Sequence, residues 1–187
     1  MIAGLLLAAG AGRRYGMPKA LVEDGAWLRR SVAVLSEGGC ASVLVVLGAS
    51  AEQAAALVPD TASTVVAADW AEGMGASLRT GLTALEDSAG PEVQAALVHL
   101  VDLPDVDARV VRRLAGLAGP QVVARASFDG QPGHPVLLGR DHWADIVASA
   151  RGDRGARDWL AGRADLALVD CADLASGTDV DRPSSRP

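Results

Sequence analysis

The sequence predicts an α/β fold, a three-layer sandwich around a mostly parallel sheet. Two observations carry this. Short apolar runs recur along the chain, and between them apolar residues repeat at helical spacing. In chain order, the first run, residues 2–8, is continuously apolar and reads as a buried strand. Leu28, Val32 and Leu35 then share one helical face. Runs at 42–47 and 63–67 follow as strands, and Leu78, Leu82 and Leu85 mark a second helical face. The run 95–101 is the next strand, and Val110, Leu114 and Leu117 mark a third helix. Strands are expected again at 121–126 and 166–169. Residues 127–135, rich in Gly and Pro, interrupt the alternation and read as a loop or a hairpin lid.

Half of the 187 residues are apolar but only 3% are aromatic, so the core is built from Ala, Val and Leu. The length fits one domain, expected over residues 1–181, with 182–187 as a disordered tail. No repeat or linker divides the chain. No apolar run has the length of a bilayer span, and no basic stretch precedes the first apolar run as in a signal peptide. Cys40 and Cys171 lie far apart without metal-type spacing, so free thiols in a reducing cytoplasm are expected. A net charge of −6 disfavours nucleic acid as a partner. A small polyanion remains open if cations gather locally.

They gather at one place. Gly10, Gly12 and Gly16 follow the first strand, and Arg13, Arg14 and Lys19 sit among or just after them. Lys19 is the sole lysine of seventeen basic residues, which points to a need for a compact ammonium rather than a planar fork. Strand, glycine turn and clustered cations are the layout of a phosphate site. A Walker loop is excluded because Pro18 and Ala20 flank the lysine. A dinucleotide fingerprint is disfavoured because three residues separate Gly12 from Gly16, and the second strand ends in Leu47-Gly48 rather than an acid. A redox Rossmann enzyme is therefore not expected.

Asp102 closes an apolar strand two residues before Pro104. It is placed to hold a hard cation such as Mg²⁺, and equally to cap or turn the chain. Asp105 or Asp107 is the better candidate to cap the following helix. Asp179-Val180-Asp181 reads either as a strand with both carboxylates on one face or as a polar tail. Ser77 can cap the helix that opens near Gly73 or meet a base edge, Arg79 reads equally as a surface residue, and Trp70 reads as packing. His99 reads as a core residue and His142 as a helix-surface residue, while His134, in the expected lid, is the candidate for a substrate contact. Residues 152–157 begin a helix whose amides can meet an anion.

Together these motifs resemble one family. Leu7-Ala8-Ala9-Gly10, Arg14, Gly16, Pro18 and Lys19 resemble the signature loop of nucleotidyltransferases with a glycosyltransferase-A-like fold. Gly73-Met74 with Ser77-Leu78, Asp102-Leu103-Pro104, Gly133-His134-Pro135-Val136, Gly152-Asp153 with Gly155-Ala156-Arg157, and Asp179-Val180-Asp181 resemble the molybdenum cofactor nucleotidyltransferases, closest to their cytidylyltransferase branch. The C-terminal motif departs from the family's Thr-Pro-Glu-Asp: here Arg182-Pro183-Ser184-Ser185 follows.

The resemblance implies transfer of CMP from CTP to the terminal phosphate of molybdopterin, with pyrophosphate leaving. It implies Ala8, Ala9, Gly10 and Ser77 at the base, and Gly12, Arg14 and Lys19 at the triphosphate. Asp102 and Asp181 are implied as Mg²⁺ ligands, with Asp179 the alternative to Asp181, and Gly133, His134 and Asp153 lie on the acceptor side. The implied partners are CTP or another NTP, a molybdopterin-type phosphate, and a molybdoenzyme or its maturation chaperone. Alternatives on the same fold are a guanylyltransferase, a sugar- or alcohol-phosphate nucleotidyltransferase, and a non-catalytic cofactor carrier.

Overall fold

The computed structural model describes residues 1–182. Its strands are β1 (Ile2–Leu7), β2 (Ser42–Leu47), β3 (Ser63–Val66), β4 (Ala95–Leu100), β5 (Val123–Phe128), β6 (Gln131–Gly139) and β7 (Ala167–Asp170). Its helices are α1 (Ala26–Glu37), α2 (Ala51–Ala55), α3 (Met74–Ser88), α4 (Ala108–Ala115), α5 (Trp143–Ser149) and α6 (Arg157–Leu160). The strands form one sheet in the order β3-β2-β1-β4-β6-β5-β7. Only β6 runs against its neighbours; β1 is parallel to β2 and β4, β2 to β3, and β5 to β7. The sheet is thus mostly parallel with helices on both faces.

The strand alternation of side chains divides the core in two. Ile2 and Leu6 of β1 point to the face covered by α1 and α4, packing with Leu28, Leu35 and Val110. Ala3, Leu5 and Leu7 point to the other face, packing with Leu78 and Leu82 of α3 and Trp143 and Ile146 of α5. Burial on both faces is why β1 is apolar at every position rather than at alternate ones. Among the described residues, no helix is long and apolar enough to cross a membrane.

The hairpin region differs from expectation. Residues 127–135 are not a lid: they are the end of β5, an Asp129-Gly130 turn and the start of β6. Both turn residues have positive φ, 49° and 76°, the geometry that favours Asp-Gly in a tight hairpin. Pro132 and Pro135 argue against a strand, yet β6 tolerates them. Its pairing with β4 begins only at Val136, so the proline-bearing half bonds to β5 alone and behaves as an edge. Leu117 also departs from expectation. It lies past the end of α4 and is exposed, whereas Val110 and Leu114 are buried. The expected tail, 182–187, falls outside the described residues except for Arg182.

Asp107 caps α4, accepting the Arg109 amide at 2.8 Å. Asp107→Ala is expected to cost about 1 kcal/mol, lowering the melting temperature by roughly 2–4 °C; calorimetry checks this.

Candidate active site

The parallel strands β1 and β4 end side by side, with Leu7 in register with Leu100. A parallel sheet binds ligands beyond such carboxyl ends, and a cleft of about 620 Å³ opens there. After β1 the chain stays pinned to the sheet for two residues: the Ala8 amide donates to Val46, and the Ala9 carbonyl accepts from Ala49. It then leaves the sheet. Among the described residues, the amides of Gly10, Ala11 and Gly12 donate to no protein acceptor, which leaves three N–H groups at the cleft wall. Gly12 makes the turn possible. Its φ is +60°, and a Cβ there would strike the Met17 carbonyl. The Gly16 amide closes the loop on Gly12 O at 2.8 Å.

Pro18 leads into a 3-10 segment, Lys19–Gly25, and its first residue turns into the cleft. Lys19 Nζ donates to Asp102 Oδ2 at 2.6 Å and to Asp181 Oδ1 at 3.2 Å. Lys19 and Asp102 are largely buried, at 14% and 16% side-chain exposure, so this pair is shielded from the solvent screening that weakens surface pairs. Arg14, 75% exposed, reaches Asp181 Oδ2 at 2.9 Å. Burial alone would lower the Lys19 pKa; hydrogen bonds and charge from Asp102 and then Asp181 outweigh it and raise the value. The Lys19 and then Arg14 hydrogen bonds hold the Asp181 carboxyl below its ordinary range.

The two distant acids meet because the C-terminal segment is tied to the end of β4: Val180 N donates to the Asp102 carbonyl at 3.0 Å. Residues 179–181 are not a strand; that backbone bond, rather than a strand's alternation, brings their carboxylates inward. Asp179 joins them. One oxygen from each of Asp102, Asp179 and Asp181 lies within 4.8 Å of the others. An all-oxygen, triply anionic set fits a hard divalent cation.

Ser77 does not cap α3; Gly73 does, and Ser77 is a buried residue of the first turn lining the cleft. Gly73 has φ +119°, and a Cβ there would strike Asp153 Oδ1, so the glycine lets the 152–154 turn lie against the head of α3. That turn is 3-10, and the helix expected to begin over 152–157 starts only at its last residue, Arg157, and runs four residues to Leu160. Arg79 is not a free surface residue: it binds Asp69 at 2.6 Å, Glu72 at 2.8 Å and the Ala150 carbonyl at 2.9 Å. Trp70 packs against the core and also lines the cleft. His99 is buried. His142 is tied to the Gln121 carbonyl at 3.1 Å, its ring 5.3 Å from that of Trp159. Gly133 and His134 stand in β6, not in a lid, and His134 lines a second, smaller cavity with Asp153. Asp179, the sequence's alternative to Asp181 as second metal ligand, joins the acid cluster; Arg157 entered only within the Gly155-Ala156-Arg157 motif, and Tyr15 in the cleft wall and Arg125 in the second cavity were not singled out by sequence as site residues. The Asp-Val-Asp spacing was the one available signal, for Asp179.

A cleft with unpaired loop amides, one enclosed ammonium and a cluster of acids is the machinery of a phosphate-handling α/β protein. Residues 4–169 match the MobA-like NTP transferase domain, and the chain belongs to this family. It is 35% identical over 192 residues to the nicotine blue oxidoreductase of Paenarthrobacter nicotinovorans, covering 96% of this chain and 92% of that protein. Its fold is similar to that of Rv0371c from Mycobacterium tuberculosis H37Rv, with a TM-score of 0.78 at 28% identity over 97% of this chain and 93% of that one. Rv0371c has also been solved in complex with manganese, at 26% identity and TM-score 0.74 over 91% and 88% of the two chains. A molybdopterin-guanine dinucleotide biosynthesis protein A from Archaeoglobus fulgidus shares the fold at 18% identity, with a TM-score of 0.65 over 97% and 93%.

Proposed function

We propose that the protein transfers CMP from CTP to the terminal phosphate of a molybdopterin-type acceptor and releases pyrophosphate. The observation that carries this reading is the Lys19 ammonium held between Asp102 and Asp181 beside a loop of unpaired amides. A phosphate monoester is already largely dianionic at neutral pH, so it needs no general base. What it needs is positioning beside a triphosphate, and relief of the repulsion between the two. The Gly10–Gly12 amides would hold the β- and γ-phosphates. Lys19 and Arg14 would turn from the acids to the triphosphate, offsetting charge that grows as pyrophosphate departs. Ala8, Ala9, Gly10 and Ser77 would line the base. Asp102 and Asp181, with Asp179, would hold Mg²⁺, which when bound supplies Lewis acidity at the phosphates. Gly133, His134 and Asp153 would face the acceptor.

A guanylyl or sugar-phosphate transferase would use the same machinery. A second reading has its own support, because the 35%-identical relative is named an oxidoreductase. This chain lacks the glycine spacing of a dinucleotide fold, which favours transfer. One assay separates the readings: pyrophosphate release from each of the four NTPs with Mg²⁺ and molybdopterin, beside NADH and NADPH oxidation with a quinonoid dye. Release with CTP exceeding that with GTP by at least about tenfold, with no nicotinamide oxidation, is the expected result. Preference for GTP moves the protein to the guanylyl branch, and nicotinamide oxidation without release defeats the reading.

A further inference from the structure

From Cys171 to Asp181 the chain runs as a strap, neither helix nor strand, from the end of β7 to the end of β4. It carries two of the three acids of the cation cluster, Asp179 and Asp181. Its near end is docked on β5 and α4. Cys171 N donates to the Ser127 carbonyl at 2.9 Å, and Arg113 clasps the Asp173 carboxylate at 2.6 and 2.9 Å. Its far end makes the Val180 bond to the Asp102 carbonyl at 3.0 Å. Between the two ends a carboxylate reaches out from the turn before α4: Asp105 Oδ2 accepts the Ser176 amide at 2.6 Å. Ser176 then turns the chain, its Oγ donating to Thr178 Oγ1 at 2.9 Å and accepting the Thr178 amide at 3.2 Å. Gly177, with φ +64°, crosses Phe128 so closely that a Cβ there would strike the ring.

Nothing else engages the Asp105 side chain. Asp107, not Asp105, caps α4. Among the described residues, Asp105 forms no ion pair and stands outside the acid cluster. Its Oδ1 is buried with no hydrogen-bond partner among the described residues, which costs stability. What the carboxylate supplies is the bond from Oδ2, a charge-assisted one to a backbone amide of the strap.

We propose that Asp105 is a positioning residue for the divalent-cation site. Its bond to Ser176 sets the path of the strap, so that Val180 meets the Asp102 carbonyl and Asp179 and Asp181 converge with Asp102. The inference rests on the acid cluster being the cation site, as the transfer reading above has it. Asp105 acts through the hydrogen bond, neither as a ligand nor through its charge. A ligand, or a charge felt by the ion, is lost equally in Asp105→Ala and Asp105→Asn. An acceptor for the Ser176 amide is lost only in Asp105→Ala, because asparagine presents an amide oxygen at the same reach.

Mn²⁺ titration of the nucleotide-free protein, followed by electron paramagnetic resonance, tests this, with amide hydrogen exchange on the metal-free protein as a second readout. Asp105→Ala is expected to weaken Mn²⁺ binding by about tenfold or more. Its amides over 176–181 should lose protection while those of the central sheet keep theirs. Asp105→Asn is expected to bind Mn²⁺ within about threefold of the wild type, with protection over 176–181 retained. Gly177→Ala displaces the strap from Phe128 with Asp105 intact, and should repeat the Asp105→Ala pattern. Unchanged Mn²⁺ affinity in Asp105→Ala overturns the role. So does an Asn variant as weak as the Ala variant, which would make charge the agent, and so does a loss of protection spread through the sheet. A wild type that binds no Mn²⁺ removes the cation site and the role with it. Failure of the transfer reading looks different: CTP is not turned over, yet Mn²⁺ binding and its dependence on Asp105 persist, and the positioning role stands.

Discussion

Lys19→Ala is expected to lower turnover at saturating MgCTP and acceptor by about a hundredfold or more, ~2.7 kcal/mol of transition-state stabilisation. The expectation follows from where the ammonium sits. It is enclosed, at 14% exposure, and among the described residues its only side-chain partners are Asp102 and Asp181. A cation so placed acts with little solvent screening on whatever negative charge enters the cleft. Arg14 cannot substitute, being 75% exposed and, among the described residues, reaching only Asp181. The metal response adds a second readout. On the proposed function Lys19 would compete with a divalent ion for the same two carboxylates, so its removal should leave the Mg²⁺ titration unchanged or tighter while the rate collapses. Near-normal turnover would remove Lys19 from the proposed chemistry.

Asp102→Asn is expected to shift the metal titration the other way. The substitution keeps the side chain's size and the Asp102 backbone carbonyl that holds Val180 at 3.0 Å, so the C-terminal segment should stay in place. It removes one of the three negative charges whose oxygens lie within 4.8 Å of one another. The Mg²⁺ concentration for half-maximal rate should rise by about tenfold or more, with part of the lost turnover recovered at high Mg²⁺. An unchanged titration would exclude Asp102 as a ligand. The paired variants are diagnostic because their rates fall together while their metal responses diverge.

The central parallel strands were legible in the sequence because they are buried on both faces and therefore almost uniformly apolar. β1, β2 and β4 were readable to within a residue for that reason. β6 was not, because Pro132 and Pro135 weigh against a strand in any local reading. They are tolerated only because β4 stops pairing at Val136, a fact of the neighbour rather than of the segment. The Gly and Pro content of 127–135 signalled only a loop or hairpin, not the strand that follows the turn. In the site, Lys19 stood out as the sole lysine closing a glycine loop and Asp102 as an acid closing a strand, while the resemblance picked Arg14 over Arg13 and favoured Asp102 as a ligand over a cap. Asp181 was locally indistinguishable from a polar tail, since one long-range backbone bond positions it. Arg125 carries no local signal, lying within a strand, and Arg157 was visible only as the end of the Gly155-Ala156-Arg157 motif; the tertiary fold brings the two to one cavity.

The most direct test of the account follows the α-phosphate. With CTP labelled at that phosphorus, Mg²⁺ and molybdopterin, the label should appear in the acceptor in a one-to-one ratio with pyrophosphate released. Release of labelled CMP to water at the same rate with or without acceptor, or no breakdown of CTP at all, would contradict it.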